Sequence, residues 1–202
     1  MIYACVKRLS DIIIGLIGLV FLVPLTIIIK LVYICTGDFH PIFYTQERIG
    51  KHGKTFKIYK YRSMVWNAEA KLQELMQKDK KIRDEYEKYK KLSNDPRITK
   101  IGGILRRYSI DEAPQFINIV LGNMSLIGNR PYLLTEKQYM GKYYHKIIET
   151  KPGITGLWQV SSHNNMLFEE RLRLESAYEQ CFTYDFNIFL DTFKTIFGGG
   201  NG

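Results

Sequence analysis

A chain of 202 residues has the size of one domain with a sizeable core and room for an appendage. Its 29 Lys and Arg against 20 Asp and Glu give a formal charge of +9, which points to an anionic partner: nucleic acid, a lipid surface or a phosphorylated substrate. Cys5, Cys35 and Cys181 stand far apart with no CxxC and no histidine at ligand spacing, which argues against a disulfide framework or a zinc site and fits a reducing compartment.

The first predicted element is apolar. Ile12 to Ile29 carries no charge, Lys30 interrupts, and Leu31 to Cys35 continues, a run long enough to cross a bilayer. It is too long for a signal-peptide core, and no small-residue cleavage site follows. Lys7 and Arg8 hold the amino terminus on the cytoplasmic side. Pro24 removes a backbone donor mid-run, so the helix either kinks and spans or breaks there and returns to the same face. From Gly37 the composition is that of a soluble domain, dividing the chain into a membrane segment, 1–36, and a catalytic domain, 37–202.

Ile42–Thr45 and Thr55–Met64 read as strands around the turn IGKHGK, the second carrying Lys57, Lys60 and Arg62 among aromatics. Ala68–Leu92 is charged, with Leu72, Leu75 and Met76 at helical spacing, and reads as one exposed helix. SNDPRITK is a turn with a helix start, and two short helices flank Tyr108. Tyr132–Thr150 is expected to be helical, KPGITG a loop, LWQVS a short strand and Phe168–Phe182 a helix. In the last segment Phe186, Phe189, Leu190, Phe193, Ile196 and Phe197 share one face, either as ordinary core packing or as a helix lying in a membrane interface. The fold class is α/β, mainly α with a small β-hairpin.

The chemistry concentrates in RRYSIDEAPQ, residues 106–115. Ser109 with Glu112 three residues later reads as a capping box, with Asp111 in the first turn of a helix; Pro114 allows that helix to begin near Ala113 instead. Either way the carboxylates sit at a positive helix end, which attracts phosphate and keeps Asp111 ionised as a nucleophile or magnesium ligand. Two adjacent carboxylates can hold one hard cation against a diphosphate. Arg106 and Arg107 balance phosphate charge or form a solvated face. Arg130, in the rigid GNRP loop closed by Pro131, reads as an anion clamp or an exposed turn residue. Lys151 opens KPGITG, whose tight backbone either approaches a phosphate or is a plain loop. With no GK[ST] loop and no dinucleotide fingerprint, dispersed arginines and a metal would have to hold a phosphorylated substrate. With no recognition helix or aromatic RNA platform, nucleic acid is not the expected partner.

In order, KRLSD before a proline-containing apolar run, FKIYKYRSM, NDPRITKIG, SIDE, QFINIVLGNMSLIGNRP, KPGITGLWQV and FEERLRL resemble the bacterial sugar transferases, or monotopic phosphoglycosyl transferases, over almost the whole chain. The resemblance implies transfer of a sugar 1-phosphate from a UDP-sugar to undecaprenyl phosphate with release of UMP, the first step of an exopolysaccharide, capsule or other surface glycan. It implies Asp111 as the nucleophile that forms a covalent phosphosugar intermediate, Mg2+ held by Asp111 and Glu112, and phosphate contacts from Arg106 and Arg130. The substrate-binding set expected on this footing is Arg106, Arg130, Pro131, Lys151, Lys60 and Arg62. Lys7, Arg8, Asp11 and Pro24 would belong to a re-entrant helix that enters one leaflet of the bacterial inner membrane, with the catalytic domain on the cytoplasmic face. The insert from Trp66 to Leu92 resembles members that use hexose donors such as glucose or galactose, and the chain reads as the catalytic core without the extra transmembrane helices of some members. A homodimer is left open. The sequence departs from the family pattern at Val23, often serine, at Asn129 in GNRP, where GPRP is usual, and at Ser162 and His163, often glycine and arginine. Those last changes motivate the alternative of a catalytically degenerate membrane-bound scaffold for other glycan enzymes.

Overall fold

In the computed structural model, residues 2–161 and 166–197 are described. The apolar run forms a single helix, α1 (Ile2–Cys35), about 50 Å long at 1.5 Å per residue. It passes through Pro24 as continuous helix, so the break expected there, and the turn back that would follow from it, are not seen. What organises α1 is a stripe of contacts at three- and four-residue spacing. Near its start Lys7 pairs with Asp185 at 2.5 Å, and Arg8 donates to the carbonyls of Ile119 and Val120 at 2.7 and 3.0 Å. Asp11, buried, accepts from the Ser125 hydroxyl at 3.0 Å and the Leu126 N–H at 2.8 Å. Gly15 and Gly18 follow, and a Cβ on either would press to within 2.9 Å of Val120 or 2.5 Å of the Phe116 ring. Farther along, Leu22, Ile29 and Tyr33 bury against Ile42, Tyr61 and Leu105. Thr26 bonds the Tyr61 hydroxyl, and the Tyr33 hydroxyl donates to the Arg62 carbonyl. The opposite face, including Leu9, Val20, Phe21, Val23 and Ile28, is exposed. Such a face is the mark of a surface meant for lipid or a partner.

The hairpin forms as expected, with β1 (Phe43–Ile49) running four residues beyond Thr45 and β2 (Thr55–Tyr61), which ends three residues before Met64, antiparallel to it, Phe43 opposite Tyr61 and Ile49 opposite Thr55. His52 and Gly53 turn the chain in left-handed conformations. The charged insert is two helices rather than one, α2 (Ala68–Lys78) and α3 (Lys80–Tyr89). Asp79 between them is extended, and its carboxylate accepts the Lys81 N–H at 2.8 Å, so an N-cap interrupts the helical periodicity. Thr99 caps α4 (Lys100–Arg107) through the Gly102 N–H at 2.9 Å. A short helix, α5 (Gln115–Val120), then leads into β3 (Ser125–Ile127).

Tyr132–Thr150 is not one helix but two 3-10 turns followed by α6 (Tyr144–Ile148). KPGITG contains a strand, β4 (Gly153–Thr155), parallel to β3. LWQVS, read as a strand, is the short helix α7 (Leu157–Val160), because Gly156 in extended backbone ends the sheet just before it. Helix α8 (Phe168–Ser176) stops six residues short of Phe182, where α9 (Phe182–Phe197) begins. Helix α9 docks through Asp185, Ile188 and Thr192. Asp185 accepts from Tyr3, Lys7 and Tyr178, Ile188 is buried with Ile127 and Tyr178, and Thr192 meets Thr155 at 2.7 Å. Phe186, Phe189, Leu190 and Phe193 therefore face outward, which overturns core packing as the account of that stripe; the side chains of Ile196 and Phe197 lie outside the described residues.

Candidate active site

The SIDE segment does not form the capping box its spacing suggests. Ser109 takes a left-handed conformation at φ 55 and its side chain makes no cap bond. Ile110–Glu112 is one 3-10 turn, and α5 starts only after Pro114. What places the carboxylates is the docking of α5. Asn118, fully buried, accepts the Tyr59 N–H at 3.0 Å and donates to the Lys57 carbonyl at 2.7 Å, tying the helix to β2. Arg8 closes the carboxyl end of the same helix, where the last carbonyls and the helix dipole favour a cation. With α5 held on both sides, the turn before it meets β2, and Lys60 reaches Glu112 at 2.6 Å.

The two neighbouring carboxyls are driven in opposite directions. Burial raises the pKa of Asp111, which is only 7% exposed; the charges of Lys60 and Arg106 oppose this and the charge of Glu112 adds to it. The helix end expected to favour an ionised Asp111 is opposed by desolvation, the largest cause of the shift. For Glu112 burial also pulls upward, but the charge and hydrogen bond of Lys60, with help from Arg130 and Gln115, bring the net shift below the ordinary value. Lys60 thus favours the anionic form of Glu112, while burial favours the neutral form of Asp111.

Beside this turn lies a small open cleft lined by Lys60, Glu112, Gln115, Arg48, Arg130 and Pro131, with Gly153, Ile154 and Gln159 completing the wall. Of the residues expected at a substrate site, Lys60, Arg130 and Pro131 line it. Arg106 stays on the Asp111 side, exposed, with its Nε on the Ser63 hydroxyl at 2.8 Å. Arg62 is a correction. Its guanidinium is buried and engaged by the Pro41 and Met64 carbonyls and by Asp38 at 2.9 Å, so it braces the chain entering β1. Lys151 is another: it is half-buried beside Arg8 and Gly122 on the α1 side, where burial and the charge of Arg8 lower its pKa. Lys7, Arg8 and Asp11 clamp α1 to the domain. Ser162 and His163 lie outside the described residues.

Sequence reasoning missed Arg48, Trp158, Arg171 and Glu175. Arg171 is buried, its guanidinium stacked over Trp158 at 4.3 Å, and Arg130 lies over the same ring at 5.4 Å. Glu175, also buried, accepts the Arg130 N–H at 3.0 Å, and burial pushes its carboxyl up to about 7. The signal was present in FEERLRLE, where Arg171 and Glu175 occupy core-facing positions beside Phe168 and Leu172 on the helical repeat. As for a metal, no group of three or more His, Cys, Asp or Glu able to hold one exists among the described residues. Two adjacent carboxylates nevertheless fit magnesium, which takes one or two from a protein and fills its shell with substrate phosphate and water.

A family model described as bacterial sugar transferase matches residues 2–199. The chain is 41% identical over 192 residues to an undecaprenyl-phosphate galactose phosphotransferase of Salmonella typhimurium, a match covering 94% of this chain and 40% of that protein. It is 36% identical over 191 residues to the exopolysaccharide production protein ExoY of Sinorhizobium fredii, covering 94% of this chain and 83% of that one. It is 32% identical over 205 residues to the UDP-glucose:undecaprenyl-phosphate glucose-1-phosphate transferase of Escherichia coli, covering 96% and 40%. The chain therefore spans well under half the length of some curated relatives and most of the length of others.

Proposed function

This chain belongs to the bacterial sugar transferase family, and on that premise we propose that it moves a sugar 1-phosphate from a UDP-sugar to undecaprenyl phosphate, releasing UMP. The observation that carries the reading is the buried Asp111 next to Glu112, whose ion pair with Lys60 lines a cleft shared with Arg48 and Arg130. In the first step an Asp111 oxygen bonds the sugar-bearing phosphorus as the bridging P–O bond breaks, and the electron pair leaves with UMP. In the second, a phosphate oxygen of the lipid bonds that phosphorus and the Asp111 oxygen departs as carboxylate. A carboxylate approaching a diphosphate meets like charge, which Lys60, Arg106 and Arg130 offset. Asp111 and Glu112 would hold magnesium, which supplies further charge neutralisation when bound. The donor is a UDP-hexose, glucose or galactose by the relatives' names, and the product opens an exopolysaccharide or capsule.

The same reading places the chain on one face of the bacterial inner membrane, the cytoplasmic one. Support comes from α1, tied to a single polar domain from Lys7 to Tyr33, about 40 Å along its axis. Crossing a hydrocarbon core about 30 Å thick would drag the charged ends of that domain into lipid. Lying with its apolar face in one leaflet, beside the exposed phenylalanines of α9, costs no such burial.

The test is incubation with UDP-galactose or UDP-glucose, undecaprenyl phosphate and magnesium, with UMP release as the readout. Turnover with either donor is the expected result. Absence of turnover across a broad donor panel would sink the reading and favour a non-catalytic scaffold.

A further inference from the structure

Two guanidiniums, those of Arg48 and Arg130, line the cleft. Arg48, near the end of β1, is stitched to the GNRP loop: it donates to the Pro131 carbonyl at 3.0 Å and to Gln46 Oε1 at 2.6 Å. Its neighbour Ile49 donates to the Tyr132 carbonyl at 2.9 Å, and Arg48 itself bridges Leu133. Arg130, on the same loop, stacks on Trp158. Both arginines line the cleft with Glu112, and among the described residues neither buried Nε has a hydrogen-bond partner. Burial lowers the Arg48 pKa to about 10, with the charge of Arg130 the next cause and the charge of Glu136 opposing it, so Arg48 stays a cation at neutral pH within range of a second guanidinium. Two half-buried like charges without a bonded counter-charge are costly, and an anion seated between them removes the cost.

The charges also have an order. Asp111 feels Lys60, Glu112 and Arg106; Glu112 feels Lys60 and Arg130; Arg48 feels Arg130, then Glu136, and Glu112 least. Glu112 lines the cleft with Arg130 and Arg48, the guanidinium side, whereas Asp111 and Arg106, the latter held to the Ser63 hydroxyl, lie outside that lining on the nucleophile side. Resting on the transferase reading, we propose that Arg48 joins Arg130 in seating the phosphate of the departing nucleotide, while the attacked phosphorus lies on the Asp111 side of Glu112. As the Asp111 oxygen bonds that phosphorus and the bridging P–O bond breaks, the electron pair settles on the oxygen that stays with the nucleoside monophosphate. That phosphate gains a full negative charge, and the guanidinium pair meets it without any proton transfer.

The experiment is calorimetric titration of UMP, and separately of inorganic pyrophosphate, into the intact detergent-solubilised chain and its R48Q, R48K and R106Q variants. R48Q is expected to weaken UMP and pyrophosphate by about tenfold or more, the loss of a charged hydrogen-bond donor. R106Q should change UMP affinity by no more than about twofold, as a screened, exposed charge would. Equal losses in R48Q and R106Q, or wild-type UMP affinity in R48Q, overturn the proposal. Should R48Q fail to fold, R48K decides: it keeps the charge but not the fork, so a clear loss of UMP affinity supports the seat and wild-type affinity overturns it. The transferase reading fails separately. Pyrophosphate binding that depends on Arg48, in a chain that releases UMP from no UDP-sugar, would overturn the leaving-group role together with that reading; UMP release with undiminished R48Q binding removes the seat alone.

Discussion

The cations on the two sides of the domain have different fates. Toward α1, Lys7 pairs with Asp185, Arg8 satisfies the last carbonyls of α5, and Arg62 pairs with Asp38. In the cleft, Arg48 bonds a backbone carbonyl and an amide oxygen, and among the described residues Arg48 and Arg130 each leave a buried Nε unpartnered. Net charge alone did not separate these groups. A cation that the fold already neutralises holds the structure; one left without a counter-charge is available to a ligand.

The largest expected effect lies on the cleft side. Asp111→Asn should lower the rate of UMP release by at least about three orders of magnitude, the scale seen when a covalent nucleophile is removed. Near wild-type turnover in that variant would falsify the covalent route. On the α1 side the expected loss is stability. Asp11→Ala leaves the Ser125 hydroxyl and the Leu126 N–H buried without their acceptor and should cost about 3 kcal/mol, read by chemical denaturation in detergent. An unchanged midpoint would mean that the two regions do not differ as described.

Glu175 stands between the regions and gives a pH signature. Its folded carboxyl is raised from 4.5 to about 7, so the folded state holds a proton that the unfolded chain has released. Its contribution is fully present below pH 4.5 and is lost as the pH rises through about 7. Glu175→Gln should flatten the stability profile across that window by about 2 kcal/mol, seen in denaturation midpoints taken at several pH values. A profile as steep as wild type would discount this carboxyl. The smallest effect is expected at Lys151, whose place beside Arg8 lies off the cleft. Lys151→Ala should keep turnover within about threefold, in line with a charge that touches no substrate, and a hundredfold loss would return it to the substrate site.

Much of this organisation was legible in the sequence, and the failures have identifiable causes. The hairpin around IGKHGK, the Thr99 helix start and the apolar character of α1 follow from turn chemistry, capping and composition. The gathering of Lys60, Glu112 and Arg130 at one cleft does not follow from such signals; the sequence suggested that set only through its resemblance to the family. The capping box at Ser109 failed because local spacing cannot foresee a left-handed residue imposed by the junction of α4 and α5. The α9 stripe was misjudged because Ile188 and the hydrogen bonds of Asp185 and Thr192 dock the other face. Arg62 looked like Lys60 in the strand pattern, yet its partners, Asp38 and the Pro41 carbonyl, lie more than twenty residues upstream. Arg48 was overlooked because its significance depends on a loop that begins eighty residues later.

The close approach of Gly15 and Gly18 to α5 has a mechanical consequence. Helix α5 begins three residues after Glu112, so the part of the chain that rests on the apolar rod also carries the acidic turn. Two absent methyl groups thereby fix the height of Asp111 above whatever surface α1 lies in. Enlarging either residue to alanine would shift that height by forcing the Phe116 ring or Val120 away from the rod. Depth in the membrane and reach toward a lipid headgroup then become one coordinate, set by how closely two helices touch.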